Sequence, residues 1–560
     1  MWEQKTMKNF VRVICLLLVC VFCLLAVVSC NGKKRKKGNY NVEIKTDDNG
    51  VRWAKDEWGK WREYDNLSEE LDYDGDTVTV YYWTGADYAE FVQEEMVDDD
   101  RLASIYKRNE AIQDRLNIEL NMIGEPGDGH YIESFVKKVE DALTAQTHDY
   151  DIIAAYSRTQ GALLTQGFIQ NLTVIEDNHI ELSKPWWPPR INDNLKIGGT
   201  PGDNTTGYLY YVSGDMSMTA IDNLHCVYFN KELVDAKYEA EAKTYFQTNG
   251  HKYTDATDSR GKATDTATYM LYELAYKGGD EKGGWTIDQL IKYASNCYRD
   301  KTGNGITEDD TFGMISIGYA VASVYGGANL RMIEQDAQST LKISDDWTSN
   351  KTNRLIQKLY PLFSSNSYYC NHTVGNPNYA QPFVNGNALF SIYYLCMAES
   401  LLIGNEAVKE YGILPIPKYD ENQLNYYTVI GNEFSIFSVF IDCDDRGDRQ
   451  ATLSMLTAVL ECWASEAFRQ TTPVVFEMNM QLKSSPTQAE TDMCELIRAN
   501  IRFDMGRILD SALGGKIGNY ISMDTLFAEC AYYGTPWTSE TNKYMNQMQA
   551  NLKDFVKNLK

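Results

Sequence analysis

Between residues 300 and 310 the chain reads Asp300-Lys301-Thr302-Gly303-Asn304-Gly305-Ile306-Thr307-Glu308-Asp309-Asp310. Oxygen-bearing side chains at alternating positions around a tight glycine turn suit a hard cation such as calcium. Asp300, Asn304, Glu308 and Asp310 are the candidate ligands, and the ion's role would be structural. Thr302 replaces the usual third-position acid and Thr311 the usual twelfth-position glutamate, so an ordinary acidic Gly-Asn-Gly turn is the alternative. The six histidines (His130, His148, His179, His225, His251 and His372) show no HxH or HExxH spacing, so a zinc hydrolase lacks its ligands. No GxSxG elbow and no GxxxxGK phosphate loop occurs. Carboxylates are numerous enough to supply an acid–base pair, yet nothing marks one.

The elements that would position such groups can be read from hydropathy. Thr77 to Tyr82 alternates β-branched and aromatic residues and predicts a strand ending at the turn Trp83-Thr84-Gly85. A helical stretch at 102–115, a strand at 118–123, a helix at 131–147 and a strand at 150–155 follow. Strand and helix alternating with short connections predict an α/β fold with a largely parallel sheet. Ligands of such sheets bind beyond the carboxyl ends of the strands, which draws attention to Trp83, Tyr156 and Ser157. Residues 31–76 are polar and poor in aliphatics, and read as a tether with some local structure around Trp53, Trp58 and Trp61.

Upstream of the tether, Lys8 and Arg12 precede an unbroken apolar run of 16 residues, Val13 to Val28, which closes on Ser29-Cys30. That run suits a signal segment and is short for a membrane span. Its end resembles the lipobox of bacterial lipoproteins, in which the cysteine is lipidated and becomes the new N-terminus. Cys30 beside the basic run Lys33 to Lys37 then gives a firm anchor outside the cell. Without residues 1–29 the chain has 50 basic and 77 acidic residues, a net charge of −27, which argues against a nucleic-acid partner. About 530 mature residues exceed the ~250–300 that one core supports, so at least two lobes are expected. Eight scattered cysteines remain (Cys226 to Cys530), with no CxxC, and are expected to be mostly buried thiols.

Several segments occur in a telling order: Tyr150 to Tyr156, Ser183-Lys184-Pro185-Trp186-Trp187, Gly207 to Asp215, Val227-Tyr228-Phe229-Asn230-Lys231-Glu232-Leu233, Trp285 to Leu290, Gly412 to Asp420, and Thr471-Thr472-Pro473. Together they resemble the family 1 extracellular solute-binding proteins, the sugar-capturing lipoproteins of bacterial ABC importers, over about residues 76–530. The resemblance implies a two-lobed periplasmic-binding-protein-like fold of type II, with a hinge and an interlobe ligand cleft. It places lobe one at 76–225 and 412–480, and lobe two at 226–411 and 481–560. One crossing is expected at the strand 224–229 and the other near Leu414 to Pro417. The segment 239–266 departs from the compact form of the family and reads as an inserted loop or arm.

What the resemblance implies for the site agrees with an aromatic-rich composition of 38 Tyr and 11 Trp. Most of these rings pack the core, and flat apolar rings with polar edges also suit the C–H faces of pyranoses. Trp83, Tyr156, Ser157 and Trp186 are expected ligand contacts from lobe one, with Phe390 and Tyr393 as an aromatic platform from lobe two. Asp215 and Glu433 are expected hydroxyl acceptors. The expected partners are a carbohydrate, an oligosaccharide given the extra chain length, the permease subunits of an importer, and the membrane through the lipid. No cofactor beyond a structural calcium is expected, and the protein is expected to be a monomer without catalytic activity. A lipid-anchored glycan-degrading enzyme is the runner-up, followed by a sensor or adhesion lipoprotein on the same fold.

Overall fold

The computed structural model describes residues 37–559 except 39, 86–89, 189–193, 200–205, 256, 259, 277–282, 319, 337–339, 372–379, 477–486, 511–512 and 514–522. The expected signal segment 1–29 and the lipidation site Cys30 lie outside the described residues.

The first structured element is a three-stranded antiparallel meander, β1 (Ile44–Thr46), β2 (Arg52–Lys55) and β3 (Trp61–Glu63). The stretch read as a tether is thus folded here, and it is docked. Tyr40 and Tyr64 donate their hydroxyls to Glu466 Oε1 (2.6 and 2.9 Å), and Arg115 bridges Asp65 and Glu466. Polar composition hid this, because the docking is made by tyrosine hydroxyls and buried ion pairs rather than by aliphatics.

β4 (Asp76–Thr84) begins the first main sheet, whose order is β15 (Ser435–Val439), β6 (Ile152–Tyr156), β4, β5 (Ile118–Pro126). β4 runs parallel to β5 and β6, while β15 is antiparallel to β6. β6 is buried at every position, as a central strand covered on both faces must be. The helix between β4 and β5, Asp100–Leu116, is capped by Asp99, whose side chain accepts the Leu102 amide, and ends on Asn117 in the left-handed region (φ 50°).

The second main sheet has the order β11 (Tyr368–Asn371), β8 (Phe312–Ile317), β12 (Ala388–Tyr394), β7 (His225–Asn230), β13 (Tyr411–Leu414). β8 is parallel to β11 and β12, and β7 is antiparallel to β12 and β13. In each sheet the antiparallel strand is the one whose chain has just arrived from the other sheet: β7 from the first, β15 from the second. This reciprocal exchange defines the two-lobed type II architecture expected above. The crossings lie side by side, since Leu224 bridges Ile430 antiparallel and the Gly431 amide donates to Asn223 O at 2.7 Å. The return crossing was expected near Leu414 to Pro417; residues 411–414 instead form an edge strand of the second sheet, and the chain returns through Ile430 to Phe434. Two prolines stiffen the connection without marking its end. Gly431 is required there by close approach, because a Cβ would lie 2.6 Å from the Tyr394 ring.

Helix Lys231–Asn249 incorporates residues 239–249 of the segment expected to be an inserted arm, and packs against helix Ala267–Ala275. Two smaller strand pairs complete the fold: the hairpin β9 (Ile333–Gln335) with β10 (Leu341–Ile343), and β14 (Thr428–Val429) parallel to β16 (Ile501–Arg502). The eight cysteines 226–530 are free thiols, six of them buried. Among the described residues, no helix is long and apolar enough to cross a membrane.

Candidate functional site

The segment from β16 onward, Ile501 to Ile508, is wedged between the two lobes. On the lobe-one side the Phe503 amide donates to Asn194 Oδ1 (3.0 Å) and the Tyr211 hydroxyl donates to Met505 Sδ (3.1 Å). A Cβ on Gly161 would meet Ile508 O at 2.0 Å, so only glycine lets the helix Ser157–Gln166 come this close. On the lobe-two side the Met332 amide donates to Asp504 Oδ2 (3.0 Å) and Arg502 donates to Asn329 Oδ1 (3.0 Å). Arg507 reaches the return crossing, donating to Ile430 O and to Asn432 Oδ1.

Around this wedge lies an interlobe cavity of about 180 Å³ lined by Asn194 and Lys196 from lobe one, Arg331, Ile333, Glu334, Gln335 and Leu341 from lobe two, and Arg502, Phe503, Asp504 and Met505 from the wedge. Two smaller cavities of about 10 and 20 Å³ share Arg502 and Asp504 with it, the first also lined by Ile430 and Asn432 of the crossing. One rim is latched: Gln335 donates to Lys196 O (2.8 Å) and accepts the Gly198 amide (3.1 Å). At a second point Arg101 of lobe one pairs with Asp222 and reaches Glu399, just beyond β12, at 3.3 Å. Burial lowers Arg502 to about 10, and the neighbouring Arg331 charge adds to that fall. Burial raises the Asp504 carboxyl, opposed by Arg502.

Trp83, Tyr156, Ser157 and Glu433 come together at the carboxyl end of the first sheet. The Trp83 indole is 2% exposed, donates to Ser435 Oγ (2.7 Å) and stands 5.6 Å from the Tyr156 ring. Burial pushes the Tyr156 hydroxyl up to about 12. Ser157 donates to Asn432 O (2.5 Å), and Asn223 donates to Glu433 O, so both tie the lobe to the return crossing. Trp186 and Asp215 form a separate buried cluster. Asp215 accepts from Thr472 (2.8 Å) and pairs with Arg498, its amide donates to Trp186 O (3.0 Å), and Trp186 packs 6.0 Å from Phe468. Phe390 is fully buried in the second sheet, 6.4 Å from both Phe229 and Trp285. Tyr393, half-buried, packs 5.7 Å from Tyr394, whose ring borders the hinge beside His225.

The acidic turn at 300–310 corrects the calcium expectation. Asp300 Oδ1 accepts the amides of Thr302 and Gly303, and its Oδ2 that of Gly305. Asp310 is fully buried and accepts the amides of Lys301 and Thr307 and the Tyr298 hydroxyl at 2.9–3.1 Å; Glu308 accepts from Tyr369. The Asp300 and Asp310 carboxylates are thus taken up by amides of the turn itself. Among the described residues no cluster of His, Cys, Asp and Glu could hold a metal ion. Among the described residues Asn304 accepts only from Thr302, within the same turn.

Arg331, Arg502, Asp504, Arg507 and the latch residue Gln335 escaped sequence reasoning. They sit in no motif, and the only trace is the charge alternation Arg502-Phe503-Asp504-Met505-Gly506-Arg507.

No family model matches the sequence, and no curated protein matches it. Solved structures do resemble the fold. The GacH receptor of Streptomyces glaucescens, solved with acarbose, is 13% identical with a TM-score of 0.45, covering 87% of this chain and 100% of that one. The galacto-N-biose/lacto-N-biose I-binding protein of the ABC transporter from Bifidobacterium longum is 12% identical with a TM-score of 0.46, covering 86% and 97%. The sugar-binding protein MalE of Xanthomonas citri is 10% identical with a TM-score of 0.48, covering 85% and 98%. At this distance, the strand orders and paired crossings define the fold of the present chain.

Proposed function

We propose that this protein is a solute-binding protein that captures a carbohydrate between its lobes and delivers it to the permease of an ABC importer. It works outside the cytoplasmic membrane, held by lipid on Cys30, as a monomer without a cofactor. The observation that carries the reading is the cavity walled by both lobes beside two paired crossings at Leu224 and Ile430, which is what a clamp closing by hinge bending requires. The carbohydrate class rests on the resemblance of the sequence segments. Lobe one comprises the first sheet with helix Arg449–Thr472, and lobe two the second sheet with the C-terminal helices.

The cavity acids are already committed, Glu334 to Lys342 (3.0 Å) and Asp504 to backbone amides, which supports binding without bond cleavage. Trp83 and Tyr156 act from beneath, holding the ends of β4 and β6 against the crossing. Thermal unfolding of the full chain in mild detergent against matched mono- and oligosaccharides, with product analysis, tests this. A sugar that raises the melting temperature and is recovered intact is expected. Cleavage of that sugar refutes the transport reading. Replacing Cys30 by alanine should release the protein from the membrane fraction.

A further inference from the structure

The interlobe cavity holds more positive charge than its own acids neutralise, in a chain whose formal net charge is −25. Resting on the solute-binding reading above, we propose that the cargo is an anionic carbohydrate whose carboxylate or sulfate ester seats between Arg331 and Arg502. Arg502 is 4% exposed, and it lines the main cavity and both smaller ones. Its Nη1 donates to Asn329, its guanidinium lies 4.9 Å from the Tyr427 ring centroid, and its buried Nη2 has no hydrogen-bond partner among the described residues. A buried guanidinium N–H left unpaired is costly, and this one lines a cavity from which a ligand oxygen could reach it.

Arg331 brings a second guanidinium to the same cavity from the adjoining loop of lobe two. Its hydrogen bonds among the described residues run through the backbone: the amide donates to Asp346 Oδ2 (2.8 Å) and the carbonyl accepts from Tyr325 (3.1 Å). Asp504 offsets part of the Arg502 charge through space, yet among the described residues neither cavity acid accepts a hydrogen bond from either guanidinium. Asp504 accepts the Met332 and Gly506 amides (3.0 and 2.8 Å), and Glu334 is held by Lys342 and Ser344. An anion between the two guanidiniums would give the Nη2 its acceptor and relieve the like-charge repulsion that, after burial, depresses Arg502. Planar guanidiniums match carboxylate and sulfate oxygens through paired N–H donors. Because Arg331 and Arg502 sit on different elements facing one cavity, the anion would pin the wedge against lobe two.

The test is calorimetric titration of the full chain, purified in mild detergent, with matched uronate, sulfated and neutral oligosaccharides. At least one acidic member should bind about tenfold or more tightly than its neutral counterpart, with an advantage that shrinks as salt is raised. Arg331→Gln, a change at a partly exposed residue, should reduce that advantage to within about threefold while circular dichroism stays unchanged. Preference for the uronate or for the sulfate ester names the anionic group. If neutral sugars bind as tightly as acidic ones and Arg331→Gln changes nothing, the charge proposal is overturned while the solute-binding reading stands. If no member of the panel binds, both are overturned together.

Discussion

Glu466 should be the keystone that fastens the N-terminal meander to lobe one. Its carboxylate lies fully buried between the guanidiniums of Arg115 and Arg469, and accepts hydroxyls from Tyr40 and Tyr64 and the amide side chain of Gln470. Burial alone would raise its pKa. The two arginines outweigh that and hold it at about 2, against about 4.5 for a free glutamate. That gap of about 2.5 units corresponds to about 3 kcal/mol at neutral pH. Breaking a buried ion pair by removing one partner costs about 3–5 kcal/mol, so the two routes agree.

Glu466→Ala leaves two buried cations and two tyrosine hydroxyls without their acceptor. Undocking residues 40–65 is the least costly way to rehydrate them, so the loss should appear there first. Amide hydrogen exchange in the meander should accelerate roughly hundredfold at neutral pH, the kinetic equivalent of about 3 kcal/mol in local opening. The sign with pH is fixed by the depressed pKa: the contribution is complete above about pH 4.5 and is lost as pH falls toward 2. In Glu466→Gln that acid limb should vanish. Exchange within threefold of the wild type in Glu466→Ala would refute the reasoning.

Glu461 makes the opposite prediction. Burial pushes its carboxyl up to about 8, with Asp65 adding to the rise, while the Glu181 amide and the Trp187 indole donate to it. Its stabilising contribution is therefore full below about pH 4.5 and lost as pH rises through about 8; Glu461→Gln should flatten the alkaline limb of melting temperature against pH. Gln335→Ala removes both hydrogen bonds of the interlobe latch, each worth about 0.5–1.5 kcal/mol, and should lower the unfolding free energy by about 1–3 kcal/mol in urea and weaken ligand affinity several-fold by titration. Asp310→Ala leaves two amides and a tyrosine hydroxyl without their acceptor and should cost about 1–3 kcal/mol in urea unfolding. Adding calcium or a chelator should leave the wild-type transition unmoved, and a calcium-dependent shift would restore the cation reading.

How much was legible follows from which interactions are local. Thr77 to Tyr82 and Tyr150 to Ala155 announced β4 and β6 because alternation and β-branching act within a few residues, and helix Asp100–Leu116 lay within two residues of its expected bounds. The grouping of Trp83 with Tyr156 and Ser157 followed from strand polarity, since parallel neighbours place their carboxyl ends together. The turn at 300–310 misled because spacing reports which oxygens are near one another, not where their lone pairs point. Backbone amides claimed them first.

The sequence by itself determined the two-lobed α/β class, the early strands and helices, and a strongly acidic chain with an N-terminal signal-like run. Those properties depend on periodicity, composition and order along the chain. Only the tertiary structure decided where the chain returns to lobe one, that residues 40–65 dock on Glu466, and that Arg331 and Arg502 share one cavity. Each of these joins residues far apart in sequence, through charges and hydrogen bonds whose strength is set by burial. Burial belongs to the assembled fold, and no local pattern of residues encodes it.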